Sequence, residues 1–269
     1  MGPSGRRHHS MKRVVTGLIL LPIFVYIVVW APSPVFLAAV AAVSLVCFHE
    51  YAGLVSSYNI RPPGMFGYVA GLLVLFLPHP DFIFIVLIAL LAMALAMTSR
   101  ELADVLPFAA ALLLGVVYVF GCMRACIGLH GIGQAGAFWL LFALSVNWVG
   151  DVAAFYVGRS LGRHKLAPRV SPAKSWEGAI ASTLASLLYA YFYFPHLLKG
   201  VPMPWALAIA GVGNMAGQLG DLCESAIKRG AGVKDSGTML PGHGGWLDRI
   251  DSSLFALPVI YYLASLIVR

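Results

Sequence analysis

Charge is scarce in this chain. Only 11% of its 269 residues are Asp, Glu, Lys or Arg, and just 11 are acidic. Ordinary soluble domains carry about 25% charged residues. The shortfall excludes a disordered chain and a coiled coil, both of which depend on abundant charge. Cysteine is scarce as well: Cys47, Cys122, Cys126 and Cys223 are the full set. Cys122 and Cys126 have no His or Asp nearby at zinc-site spacing, so all four read as reduced, structural thiols. No internal repeat and no low-complexity linker is visible. The string Gly158-Arg159-Ser160-Leu161-Gly162-Arg163 is not a Walker loop, because it lacks the GxxxxGK[ST] spacing and follows no strand. No unit of interleaved aromatic and basic residues suggests nucleic-acid binding.

Hydrocarbon takes the place of charge. Hydrophobic residues make up 60% of the chain, and the mean hydropathy is +0.85. A soluble core could not hide this much apolar surface. The chain therefore reads as an all-α, polytopic membrane protein. Apolar runs fall at 14–30, 35–55, 65–80, 82–98, 104–121, 133–157, 178–195, 202–222 and 252–268. Nine spans is the expectation, with eight or ten left open. Breakers sit between the runs, as at Ala31-Pro32-Ser33-Pro34, Arg61-Pro62-Pro63-Gly64 and Pro78-His79-Pro80-Asp81. Arg6, Arg7, Lys12 and Arg13 before the first run resemble a secretory leader. The run is long and closes on no small-x-small site, so a retained first span is expected.

The basic residues orient this map. With the N-terminus in the cytoplasm, 15 of the 18 Lys and Arg fall on the inner side, leaving only Arg124, Lys199 and Arg269 outside. This is the positive-inside bias. Residues 1–130 form an N-terminal scaffold of spans. Residues 131–269 form a C-terminal catalytic region whose cytoplasmic loops, 158–177 and 223–251, hold most of the ionisable groups.

The richest segment runs from Asp221 to Asp251. If the preceding helix continues, Asp221, Glu224, Ser225 and Lys228 share a face. The loop GAGVKDSGTMLPGHGG follows, and then Leu247-Asp248-Arg249-Ile250-Asp251 opens the last helix, with Asp248 and Asp251 on one face. Five acidic residues, four basic ones and His243 lie within residues 221–251. Carboxylates in this number suit a hard cation, Mg²⁺ or Mn²⁺ rather than zinc. Lysines, arginines and glycines beside them suit phosphate groups. Metal, basic groups and a glycine loop together point to nucleotide phosphoryl chemistry at the cytoplasmic face. A charged loop that only obeys the positive-inside rule is the bland alternative, and it leaves the density of acids unexplained.

Two further groups are candidates. Asp151 falls inside an apolar run with Asn147 one turn earlier. A carboxylate there is expected to face the protein interior, as a wall of the site or as a structural crosslink between helices. In the first loop, Ser171 is expected to cap a short turn with Pro172 at its first position, and Lys174, Ser175 and Glu177 to follow around it. Such a turn suits a phosphate or a ribose; contact with anionic lipid heads is the alternative.

The stretch SAIKRGAGVKDSGTMLPGHGGWLDRID, from Ser225 to Asp251, resembles the signature of the CDP-diacylglycerol synthase (phosphatidate cytidylyltransferase) family. That signature runs Ser, one residue, an aliphatic, Lys-Arg, four residues, Lys-Asp, then Pro-x-His-Gly-Gly and x-x-Asp-Arg-x-Asp. The segment Asn147 to Asp151, the string GRSLGRHKLAP and Ser-Pro-x-Lys-Ser-x-Glu-Gly at 171–178 are similar to upstream elements of the same family. Trp246 departs from a usual aliphatic, Ala173 from a frequent Lys and Ser175 from a frequent Thr. None of these removes a carboxylate.

The resemblance implies a homodimeric enzyme of the bacterial cytoplasmic (inner) membrane that makes CDP-diacylglycerol and pyrophosphate from CTP and phosphatidate. It implies Mg²⁺ held by Asp221 and Asp248, with a K⁺ ion beside it in relatives. On that basis Asp251 supports the metal, Lys228, Arg229 and Lys234 meet phosphates, and Arg249 belongs to the nucleotide-binding group. His243 either orients a phosphate, buffers a proton or only bonds within the loop. Ser171, Lys174, Ser175 and Glu177 are expected to hold CTP, with Asn147 and Asp151 behind. The chemical obstacle is repulsion between two anions, which a metal and flanking cations reduce. Direct in-line transfer is expected, since no activated nucleophile is evident. Two rivals stand beside this reading. One is a CTP-dependent kinase acting on an isoprenoid alcohol. The other is an ion-coupled transporter, for which the sequence shows neither paired broken helices nor an inverted repeat.

Overall fold

The apolar runs fold as helices because hydrocarbon leaves no other partner for backbone N–H and C=O groups. The computed structural model describes residues 21–77, 82–99, 101–240 and 244–268. Helix α1 covers 21–29. It is followed by α2 (Ser33–Ser57), α3 (Gly64–Phe76), α4 (Phe82–Ala96) and α5 (Val105–Gly115). A π-helical segment, Val116–Gly121, links α5 to α6 (Cys122–His130). Then come α7 (Gly136–Leu161), α8 (Trp176–Leu197), α9 (Met203–Gly230) and α10 (Leu247–Ile267). Among the described residues, four helical stretches are long and apolar enough to cross a membrane: Ser33–Ser57, Leu102–His130, Gly133–Leu161 and Leu247–Ile267.

Apolar side chains cover the outside as well as the inside. Leu102 is 91% exposed, Met97 78% and Leu106 76%. Water would penalise such a surface and lipid would not. The chain is a mostly helical, multi-pass membrane protein.

The structure corrects the all-helical expectation at one place. Between α7 and α8 the chain forms a short antiparallel hairpin, β1 (Lys165–Ala167) with β2 (Ser171–Ser175), in which Lys165 pairs with Ser175 and Ala167 with Ser171. Ser171 therefore sits in a strand and caps no turn. Pro172 is tolerated because a two-stranded ribbon consists only of edges, where a missing N–H costs no ladder bond.

The chain forms two units. The first contains residues 37–124 and 227–249; the second contains the helix before residue 37, residues 125–226 and the chain from 250 onward. In the first unit, the Phe48 ring lies 5.2 Å from Phe120 and 4.9 Å, edge-on, from Tyr68. The Tyr51 hydroxyl donates to Ala111 O at 2.8 Å, and its ring occupies the space that a side chain on Gly115 would fill. In the second unit, Phe142, Trp139 and Phe194 form edge-to-face pairs. Helix α7 lies on α8, where Gly158 and Gly178 let the two backbones approach closely.

Candidate active site

The second unit holds one polar cluster. The Lys174 ammonium, on β2, meets Asp221 Oδ2 of α9 at 2.6 Å. Ser225, one turn further along α9, donates to Asp221 Oδ1 at 3.3 Å. Asp151 of α7 feels both partners, repelled by Asp221 and attracted by Lys174. Asp151 has accessible surface, on the side of α7 that carries this cluster. Asn147 is buried, with 1% exposure. Asn214 donates to its Oδ1 at 3.4 Å. Asn214 also bonds Ser182, Thr183 and Gln218, so a polar network crosslinks α7, α8 and α9. Asn147 thus joins helices, and Asp151 stands beside charges.

The hairpin brings Lys174 to this cluster and gives its neighbours other tasks. Ser175 is the N-cap of α8; its buried hydroxyl accepts from Gly178 N at 3.2 Å. Glu177 accepts from the His164 backbone N–H at 3.2 Å and meets the His164 ring Nδ1 at 2.7 Å. These bonds close the open end of the hairpin. Its own backbone N–H, and after it the His164 ring, push the Glu177 carboxyl down to about 2. Of the four residues expected to hold CTP, Lys174 alone reaches an acidic partner in this cluster, while Ser171 pairs in the hairpin, Ser175 caps and Glu177 clasps.

The first unit holds the other cluster. Lys228, near the end of α9, meets Asp248 Oδ1 at 2.5 Å, with side-chain exposures of only 9% and 5%. The other oxygen, Asp248 Oδ2, accepts from Ser236 N at 2.9 Å and Gly245 N at 2.8 Å. Gly244 allows this turn through a φ of +80°, and a β-carbon there would press on Asp248 Oδ2. Asp248 lies in the first turn of α10, where the helix dipole favours a negative charge. Arg229 folds back onto the loop and donates to Val233 O at 2.9 Å. Lys234 and Arg249 are exposed on the surface, and Asp251 is half-buried in the second turn of α10. His243 lies outside the described residues.

Sequence reasoning missed Glu50. This residue of α2 is 5% exposed. It accepts from Trp246 N at 3.0 Å, Leu247 N at 2.8 Å and Ser236 Oγ at 3.0 Å. A carboxylate within the apolar run 35–55 is itself a signal of function, by the same rule that singled out Asp151.

The donor chemistry suits a hard divalent cation. Asp221 and Asp248 each hold a lysine ammonium on one carboxylate oxygen, so both positions already carry a cation. Their ligand atoms are oxygens, as Mg²⁺ requires. Among the described residues, no three His, Cys, Asp or Glu side chains converge as a preformed metal cage. That is ordinary for Mg²⁺, which is usually held by one or two carboxylates together with substrate phosphates.

The profile of the cytidylyltransferase family matches residues 11–267. A phosphatidate cytidylyltransferase of Bacillus subtilis (strain 168) is 34% identical over 270 residues, covering 95% of this chain and 97% of the relative. Those of Staphylococcus haemolyticus (strain JCSC1435) and Staphylococcus aureus (strain COL) are each 34% identical, over 259 and 262 residues, covering 93% of this chain and 97% of each relative. With a match that runs nearly end to end, this chain belongs to the cytidylyltransferase family.

Proposed function

We infer that this protein is a phosphatidate cytidylyltransferase, an enzyme that converts CTP and phosphatidate into CDP-diacylglycerol and pyrophosphate. The observation that carries this reading is whole-length kinship with relatives of that name, at 34% identity over 95% of the chain. An oxygen of the phosphatidate phosphate bonds to the α-phosphorus of CTP, and the bond from that phosphorus to the pyrophosphate oxygen breaks. Asp221 and Asp248 each offer carboxylate oxygens suited to Mg²⁺, and Asp251 is the acid assigned a supporting role. When bound there, the metal would supply positive charge to phosphate oxygens and to the departing pyrophosphate. Lys174 and Lys228 are the cations suited to phosphate groups, and the exposed Lys234, Arg229 and Arg249 draw the nucleotide in from the cytoplasm.

The same reading places nine spans in the bacterial cytoplasmic membrane, with the N-terminus inside, and assembles the protein as a homodimer. A K⁺ ion beside the divalent one belongs to it too. Three contacts favour the topology. The Tyr58 hydroxyl donates to Ile227 O at 2.7 Å, joining the inner ends of the second and eighth spans. Lys174 and Asp221 join the inner connections after the sixth and eighth. His130 Nε2 donates to Val28 O at 3.0 Å, joining outer ends of the first and fifth.

The test follows the label. With purified protein, Mg²⁺ and phosphatidate, label from the α-phosphate of CTP is expected in lipid and label from the γ-phosphate in pyrophosphate. Entry of the γ-label into lipid would show a kinase instead. No transfer from either position would refute both.

A further inference from the structure

We propose that Glu50 is a positioning residue for the reaction, acting through the glycine loop to orient Asp248. The inference rests on the assignment of Asp248 above. Glu50 and Asp248 grip the same short stretch of chain from two sides. Ser236 gives its backbone N–H to Asp248 Oδ2 at 2.9 Å and its hydroxyl to Glu50 Oε2 at 3.0 Å. Gly245 N donates to Asp248, and the next two amides, Trp246 N and Leu247 N, donate to Glu50. These three consecutive N–H groups enter α10, so the carboxylates supply acceptors that the start of the helix lacks. Glu50 lies 186 residues from Ser236 and 197 from Leu247 in the sequence. The first unit thus has a helix, α2, holding a loop that is distant from it in the sequence.

Burial makes this a clamp and not an incidental contact. A carboxylate with 5% exposure is costly unless its lone pairs are bonded, and Glu50 has donors on both oxygens. Two glycines exist to admit it. A β-carbon on Gly237 would sit 2.5 Å from Glu50 Oε1, and one on Gly245 would collide with Glu50 Oε2 and Ser236 Oγ. If the clamp opens, the Ser236 and Gly245 amides lose their register on Asp248 Oδ2, and the Asp248 carboxylate is free to turn.

Hydrogen exchange and steady-state kinetics on the full-length protein in detergent test this. In Glu50→Gln the amide group presents one acceptor and one donor to three donors. Exchange at Trp246 and Leu247 is expected to rise about tenfold or more, with peptides from α7 and α8 unchanged. The same variant is expected to lose about tenfold or more in kcat, with KM for CTP within about threefold. Ser236→Ala removes one bond and keeps the charge. It decides the matter if Glu50→Gln does not fold: faster exchange confined to 235–248 supports the clamp. Glu50→Asp is expected to restore part of both losses. Wild-type exchange at Trp246 and Leu247 in the variants, or an equal rise throughout α7 and α8, would overturn the proposal. The exchange pattern is independent of which lipid is the substrate, so failure of the cytidylyl assay with wild-type protein would be a separate result.

Discussion

Lys228 and Asp248 form an ion pair that is almost sealed from water, 2.5 Å long with side-chain exposures of 9% and 5%. Removing one member of such a pair strands a buried charge and costs about 3–5 kcal/mol, whereas removing both costs far less. Lys228→Met and Asp248→Asn are each expected to lower the thermal midpoint in detergent clearly, and the double variant to recover part of that loss. Turnover behaves differently. Asp248→Asn is expected to reduce kcat about 10²-fold or more, because a chemical group has gone, and the double variant does not recover it. A double variant less stable than both singles would show that the bridge is not the source of the effect.

The Lys174–Asp221 pair has the same chemistry in a different setting. Its side chains are 27% and 32% exposed, and water screens much of the attraction. Exposed pairs contribute about 0–1 kcal/mol. Asp221→Asn is therefore expected to leave the melting temperature within a degree or two of wild type and still abolish turnover. Lys174→Ala is expected to raise KM for CTP with little change in stability. Near-normal turnover of Asp221→Asn would remove Asp221 from the metal assignment.

Ser175 has a structural task alongside its place in a motif. Its hydroxyl caps α8 through Gly178 N, and it is only 4% exposed. Ser175→Ala is expected to cost about 1 kcal/mol, seen as a lower thermal midpoint, while KM for CTP stays within about twofold. A large rise in KM without loss of stability would return Ser175 to the nucleotide-binding group.

These contrasts show which parts of the molecule were legible in the sequence. The helices were, because hydrocarbon imposes one solution on each long apolar run and breakers separate them. The continuation of α9 through Asp221 to Lys228 was legible from the spacing of its polar residues. The β hairpin was not: Ser171-Pro172 has the local signature of a helix start, and only pairing with Lys165–Ala167 decides otherwise. The sequence marks Lys228 for phosphates and Lys174 for CTP, but sequence spacing cannot say which acid each one meets. Glu50 escaped notice because it is a single acid with no motif around it. Its partners lie nearly two hundred residues away, and tertiary structure alone brings them together.

The glycine positions offer the most specific check on that tertiary arrangement. At Gly237 all three nearest atoms to an added β-carbon belong to Glu50, at 2.5 to 3.1 Å. Gly237→Ala should then be damaging only while Glu50 is present. It is expected to lower both the thermal midpoint and kcat, and Glu50→Ala is expected to mask it, so that the double variant is no worse than Glu50→Ala alone. That strong non-additivity is the mark of direct contact. Gly53, in the same helix as Glu50, is the control. Nothing lies within 4 Å of a β-carbon there, so Gly53→Ala is expected to be neutral or to stabilise by up to about 1 kcal/mol through helix propensity. Independent, additive effects of Gly237→Ala and Glu50→Ala would mean that the loop does not rest on Glu50 as described.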